Sequence, residues 1–89
     1  MVQAEVVVEN RLGLHARPAA TFVKITNRYD SEITVSKDDL RVNGKSIMGV
    51  MTLGASQGSR LLLRAEGEDA ENLIRELAAL VQNKFNEEL

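Results

Sequence analysis

Four short apolar runs separated by turn-forming residues, and three stretches in which apolar residues recur at helical spacing, divide the chain into seven elements. Val2 to Val8 is dense in valine and predicts a strand, followed by a polar connection from Glu9 to Gly13. From Ala16 to Asn27 the period changes: Ala19, Phe22 and Val23 recur at i, i+3 and i+4, while Arg17, Ala20, Thr21 and Lys24 fall on other faces. Pro18 fits only the first turn of such a helix, where its missing N–H costs no intrahelical bond, so the helix must begin close to His15. Glu32 to Lys37 alternates, with Ile33 and Val35 on one side. Leu40 to Val42 resumes the alternation after the Asp38-Asp39 turn, which predicts a hairpin.

Asn43-Gly44-Lys45 ends the hairpin, and Ser46 can cap a short helix from Ile47 to about Leu53, with Gly54 and Gly58 bounding the next loop. Arg60 to Ala65, apolar at Leu61, Leu62 and Leu63, suits a central strand. The last element is a longer helix whose apolar stripe is predicted from Ala70, Leu73, Ile74, Leu77, Leu80, Val81 and Phe85. The order is βαββαβα. Strands and amphipathic helices in this proportion predict an α+β fold. It is a two-layer open-faced sandwich, with a four-stranded, mostly antiparallel sheet covered on one face by three helices, in a single domain over residues 1–89.

Composition narrows the chemistry. The 89 residues include no cysteine, which removes disulfides and thiolate chemistry, and one histidine, which removes a histidine-rich metal site. No metal and no cofactor is expected. MVQAEVVVEN has no basic n-region, and no stretch approaches ~18 consecutive apolar residues, so a cytoplasmic protein without membrane insertion is expected. Residues 1–65 hold nine Lys/Arg against six Asp/Glu, and residues 66–89 two against seven, a balance of +3 followed by −5. A mildly basic front suits an acidic protein partner. Nine cations spread over 65 residues, with two Phe and one Tyr in the chain, are a poor nucleic-acid footprint, so no nucleic-acid partner is expected.

A solitary histidine is ordinarily a plain surface or core residue, and it is the spacing of Gly13-Leu14-His15-Ala16-Arg17-Pro18-Ala19 that gives His15 chemistry. A helix beginning at residues 16–18 leaves its first N–H groups unpaired beside His15, and with the macrodipole they favour anions. Arg17 adds a planar cationic fork suited to phosphate oxygens. Neutral imidazole, with an ordinary pKa of ~6.5, is nucleophilic and can accept phosphorus directly. The segment supplies no second catalytic base, metal ligand or nucleotide cradle, so a covalent carrier fits better than a complete enzyme. Gly44-Lys45-Ser46 ends like a Walker A loop, but that loop needs glycine where this chain has Asp39.

GLHARPA resembles the active-site signature of the HPr family, the histidine phosphocarriers of the bacterial phosphoenolpyruvate-dependent sugar phosphotransferase system. Residues 43–58, NGKSIMGVMTLGASQG, are similar to that family's regulatory serine, short helix and glycine loop, and the element order matches over the whole chain. The resemblance implies that His15 accepts phosphate from phosphorylated enzyme I through Nδ1 and donates it to sugar-specific IIA domains, with Arg17 beside it. A carrier gains from being a small monomer, and a monomer is expected here. Ser46-Ile47-Met48-Gly49 is similar to the Gram-positive version of the family, in which an ATP-dependent HPr kinase/phosphorylase modifies the serine and a transcriptional regulator can read it. By its residue type alone Ser46 is an N-cap, and the two roles are compatible.

Positions 47, 48 and 51 of the short helix form one stripe and Val50 and Leu53 another; the pattern alone leaves open which faces the core. By resemblance, Ala16, Ala20, Thr21, Lys24, Ile47, Met48 and Met51 form a docking surface around His15, and flexible thioethers suit several partners. Family members often carry threonine where this chain has Ala20. Two other functions share these motifs: a corepressor-type regulatory paralogue acting through Ser46, a class that tends to lack the histidine, and a nitrogen-branch phosphocarrier.

Overall fold

The computed structural model describes residues 1–87. Strand β1 (Val2–Val7) leads to helix α1 (Ala16–Thr26), the hairpin β2 (Glu32–Lys37) and β3 (Leu40–Asn43), helix α2 (Ile47–Thr52), strand β4 (Arg60–Glu66) and helix α3 (Ala70–Gln82). The sheet order is β1-β4-β2-β3, and every neighbouring pair is antiparallel. The predicted βαββαβα sandwich is the observed one. The run Leu61-Leu62-Leu63 does become an inner strand, paired with β1 on one side and β2 on the other.

Pleating sorts each strand into two faces. Ala4, Leu63, Val35 and Val42 form one row across all four strands, and Leu63 and Val35 are fully buried. The adjacent row, Glu5, Leu62, Ser36 and Arg41, points the other way and is partly or wholly exposed. All three helices therefore lie on the first face. α3 packs across β1 and β4, α1 packs against both α2 and α3, and α2 adjoins β3. Phe22 and Val23 of α1 and Leu73, Leu77 and Val81 of α3 bury their 3.6-residue stripes in the resulting core.

Two polar contacts fix the helices at their ends. The buried hydroxyl of Thr26, in the last turn of α1, donates to the Gly44 carbonyl at 2.8 Å, tying α1 to the segment before α2. At the start of α3, Asp69 accepts from the Asp30 and Ser31 backbone N–H groups (2.9 and 3.0 Å) and from the Ser31 hydroxyl. The Ser31 hydroxyl foremost, and then these N–H groups, hold the Asp69 carboxyl below the usual carboxylate range.

One sequence expectation is corrected. Phe85 is buried, at 4% exposure, but it does not extend the helical stripe, because α3 ends at Gln82. Lys84, Phe85 and Asn86 instead adopt left-handed backbone, with φ of 55°, 55° and 61°, closed by bonds from Asn86 N–H to the Asn83 carbonyl and from Glu87 N–H to the Lys84 carbonyl. The chain turns back toward α1 there. Helix periodicity carries no information about such a turn.

The two faces of β4 differ in what truncation costs. Leu63→Ala, opening a cavity at a fully buried site, is expected to lower stability by about 2–5 kcal/mol, whereas Leu62→Ala on the open face costs under about 1.5 kcal/mol. Urea unfolding of the two variants checks the assignment of faces.

Candidate functional site

The site is built from the loop that precedes α1. Gly13 has φ +69°, and a Cβ there would lie 2.3 Å from the Ala55 carbonyl oxygen and 2.9 Å from the Ser56 Cα. The next residue, Leu14, donates its N–H to that same Ala55 oxygen at 2.9 Å and is itself buried. His15 follows in extended conformation as the N-cap of α1. Its carbonyl accepts from Ala19 N–H at 3.0 Å, while its side chain caps nothing and the first turn contains no acidic residue. With Pro18 as the third helical residue, Ala16 and Arg17 carry the open amides of that turn. These amides and the helix dipole give the His15 end of α1 an anion-favouring polarity.

The His15 ring, its side chain 37% exposed, opens into a surface cavity of about 680 Å³ lined by Arg11, Leu12, His15, Arg17, Thr21, Phe85, Asn86 and Glu87. Arg17 is exposed, and its guanidinium has no hydrogen-bond partner among the described residues. The Thr21 hydroxyl donates to the Arg17 carbonyl at 3.1 Å. The ring's hydrogen bond is made through Nε2, 2.8 Å from Oε2 of Glu87. Oε1 of Glu87 accepts at 2.9 Å from Nδ2 of Asn10, which also donates to the Gly13 carbonyl at 2.8 Å. Asn10 is fully buried, and its Oδ1 has no partner among the described residues.

Of the residues predicted from sequence, His15, Arg17 and Thr21 share this cavity, whereas Ala16, Ala20 and Lys24 are exposed on α1 outside its lining. Ile47, Met48 and Met51 form the exposed stripe of α2, with exposures of 43%, 74% and 38%, and Val50 and Leu53 form the buried one. The choice that the pattern left open is thus resolved, and α2 sits against α1. Ser46 is the N-cap of α2, its hydroxyl oxygen accepting from the Gly49 N–H at 3.0 Å. Asn10, Arg11, Leu12, Phe85, Asn86 and Glu87 were not foreseen. Asn and Gly three apart before a helix mark a tight connection, but no local signal brings residue 87 to residue 15.

The chain as a whole has similar known proteins. Residues 2–83 match the family model described as the PTS HPr component phosphorylation site. The chain belongs to the HPr family. It is similar to phosphocarrier protein HPr of Treponema pallidum, at 50% identity over 99% of this chain and 100% of that one. The crystal structure of HPr from Thermoanaerobacter tengcongensis superimposes with a TM-score of 0.95 at 49% identity, covering 100% of both chains. The HPr-like protein Crh of Bacillus subtilis is also similar; one of its crystal structures, described as a swapped dimer, gives a TM-score of 0.76 at 48% identity over 94% of this chain and 97% of that one.

HPr family membership makes this chain a member of a family of phosphocarriers, with Crh among its similar proteins. Because HPr-fold dimers are among the solved structures, the likeness does not carry the expectation of a monomer. No helix among the described residues is long and apolar enough to cross a membrane.

The HPr signature's Gly13 can be tested against a second glycine. Gly54 has φ +58° but open space where a Cβ would stand, so Gly54→Ala meets only the left-handed penalty of about 1–2 kcal/mol. Gly13→Ala meets that penalty and the clash with Ala55, a further loss of about 1–3 kcal/mol. Denaturant midpoints of the two variants give the comparison directly.

Proposed function

We propose that this chain carries a phosphoryl group on His15, accepting it from phosphorylated enzyme I and donating it to IIA domains of sugar permeases. One observation carries the reading: the chain's only histidine is itself the N-cap of a helix whose first turn has no acidic residue and no side-chain cap, with the Arg17 guanidinium beside it. A phosphoryl group on the ring adds negative charge where open amides, dipole and guanidinium already favour it. The protein is an intermediate rather than an enzyme, because the reaction's other half is supplied by each partner. The exposed Ile47, Met48 and Met51 on α2, with Ala16, Ala20, Thr21 and Lys24 on α1, form the docking surface in this reading. Its residues 1–89 act as one domain in the cytoplasm. Incubation with phosphoenolpyruvate, Mg²⁺ and enzyme I is expected to give an acid-labile, alkali-stable phosphoryl adduct that His15→Ala cannot form. A wild-type chain that stays unlabelled refutes the carrier role.

Ser46 is the regulatory residue in this reading, modified by an HPr kinase/phosphorylase and recognised by a transcriptional regulator. Its oxygen already serves as a hydrogen-bond acceptor at a helix N-terminus, a place that tolerates added negative charge. The charge then opposes an acidic enzyme I docking on the adjoining helices. Ser46→Asp is expected to slow phosphorylation by enzyme I on the order of tenfold, within the usual range of coupling between two sites. Equal stopped-flow rates for the two proteins remove the electrostatic switch. Similarity to Crh is the observation favouring a purely regulatory paralogue, and retention of His15 in its open cavity favours the carrier.

A further inference from the structure

Glu87 touches the one side chain on which the carrier reading depends, and it reaches it at the cost of an unusual backbone path. Lys84, Phe85 and Asn86 are three successive non-glycine residues in left-handed conformation, which L residues avoid. Strain of this kind persists where surrounding structure over-determines it, and it concentrates at functional sites. Here burial of Phe85 anchors the turn, and the turn delivers Glu87 to Nε2 of His15.

We infer that Glu87 is a positioning residue for phosphoryl transfer, holding the proton of His15 on Nε2 so that Nδ1 keeps the lone pair that attacks phosphorus. The inference rests on the carrier reading and deepens it. A carboxylate has acceptor sites only, so its 2.8 Å contact with Nε2 requires the ring proton there. In the neutral ring the lone pair then resides on Nδ1, which has no hydrogen-bond partner among the described residues. Asn10 fixes the carboxylate in turn. Its Nδ2 serves two oxygens, the Gly13 carbonyl and Glu87 Oε1, so reversing the amide would set Oδ1 against the Gly13 carbonyl oxygen. Its orientation is dictated even though Oδ1 is left buried without a partner.

The transfer then needs no proton movement at the acceptor. The Nδ1 lone pair forms the N–P bond, and the bond from phosphorus to the donor breaks with its electron pair retained by the donor. The ring gains positive charge while its proton stays on Nε2. Glu87 faces that charge, and Arg11 and Arg17 line the same cavity beside the incoming anion. Return of the phosphoryl group to an acceptor reverses these changes.

The orientation of Asn10 makes Glu87→Gln a sharper test than Glu87→Ala. With Asn10 donating, the glutamine oxygen must face Asn10 and its NH₂ must face His15, so Nε2 becomes the acceptor and the proton moves to Nδ1. In ¹⁵N NMR of the unphosphorylated protein at about pH 8.5, above the ordinary histidine range, wild type is expected to show a protonated Nε2, and Glu87→Gln a protonated Nδ1. Phosphorylation by enzyme I is expected to slow roughly tenfold in Glu87→Ala, the low end of the cost of removing a carboxylate that orients a metal-bound histidine. It should slow further in Glu87→Gln. A ring that keeps its proton on Nε2 in Glu87→Gln, or a glutamine variant no slower than the alanine one, overturns the inference. A purely structural role for Glu87 predicts the opposite ranking, since glutamine preserves shape better than alanine. The tautomer measurement needs no phosphoryl donor, so it judges the role of Glu87 even if wild type is not labelled, the outcome that refutes the carrier reading itself.

Discussion

The missing Cβ of Gly13 lets the backbone before α1 press onto the Ala55 carbonyl, and Leu14 then hydrogen-bonds to that oxygen while burying its side chain. Neither residue can turn outward. His15 is therefore the first position after them with freedom to face solvent, and as the N-cap it is the last before the helical residues begin. The rest of the site inherits that placement: the open amides fall at Ala16 and Arg17, and Pro18 fills a position where an amide hydrogen would have no partner in the helix. The sheet enters as the support on which both loops rest, since Ala55 lies in the segment feeding β4 and residue 13 in the one leaving β1.

Helix α2 illustrates how a six-residue helix can leave large apolar side chains in water. Val50 and Leu53 bury completely or nearly so and hold it to the core, while the Ser46 hydroxyl occupies one of its open amides. With those anchors in place, Met48 stays mostly in solvent, and Ile47 and Met51 keep a large part of their surface exposed. Their exposure is affordable in a protein whose remaining surface is charged and mixed, and it gives α2 an adhesive face next to α1.

Elements whose periodicity repeats over several residues were legible in the sequence. The valine-rich first strand, the Asp38-Asp39 hairpin, the Ser46 cap and the α3 stripe up to Val81 all stand where pattern and turn chemistry put them. His15 and Arg17 were legible for a different reason: their meaning lay in distance from Pro18, a residue with one permissible place in a helix. Phe85 misled because an apolar residue four past Val81 continues a helical stripe by arithmetic, whereas the backbone had already turned left-handed. Asn10 and Glu87 were invisible. Their roles come from contacts spanning 77 and 72 residues of sequence, from Asn10 and from His15 to Glu87, and no local pattern encodes which distant carboxylate will meet a given ring.

That same span orders events during synthesis. Helix α1 emerges early, but Glu87 follows His15 by 72 residues, which at ordinary elongation rates is a delay of roughly 4–14 s. In the interval the imidazole exists without its carboxylate, and β4, the strand that joins the two sides of the sheet, is still to come for much of it. The nascent chain thus carries its histidine before it carries the group that orients it.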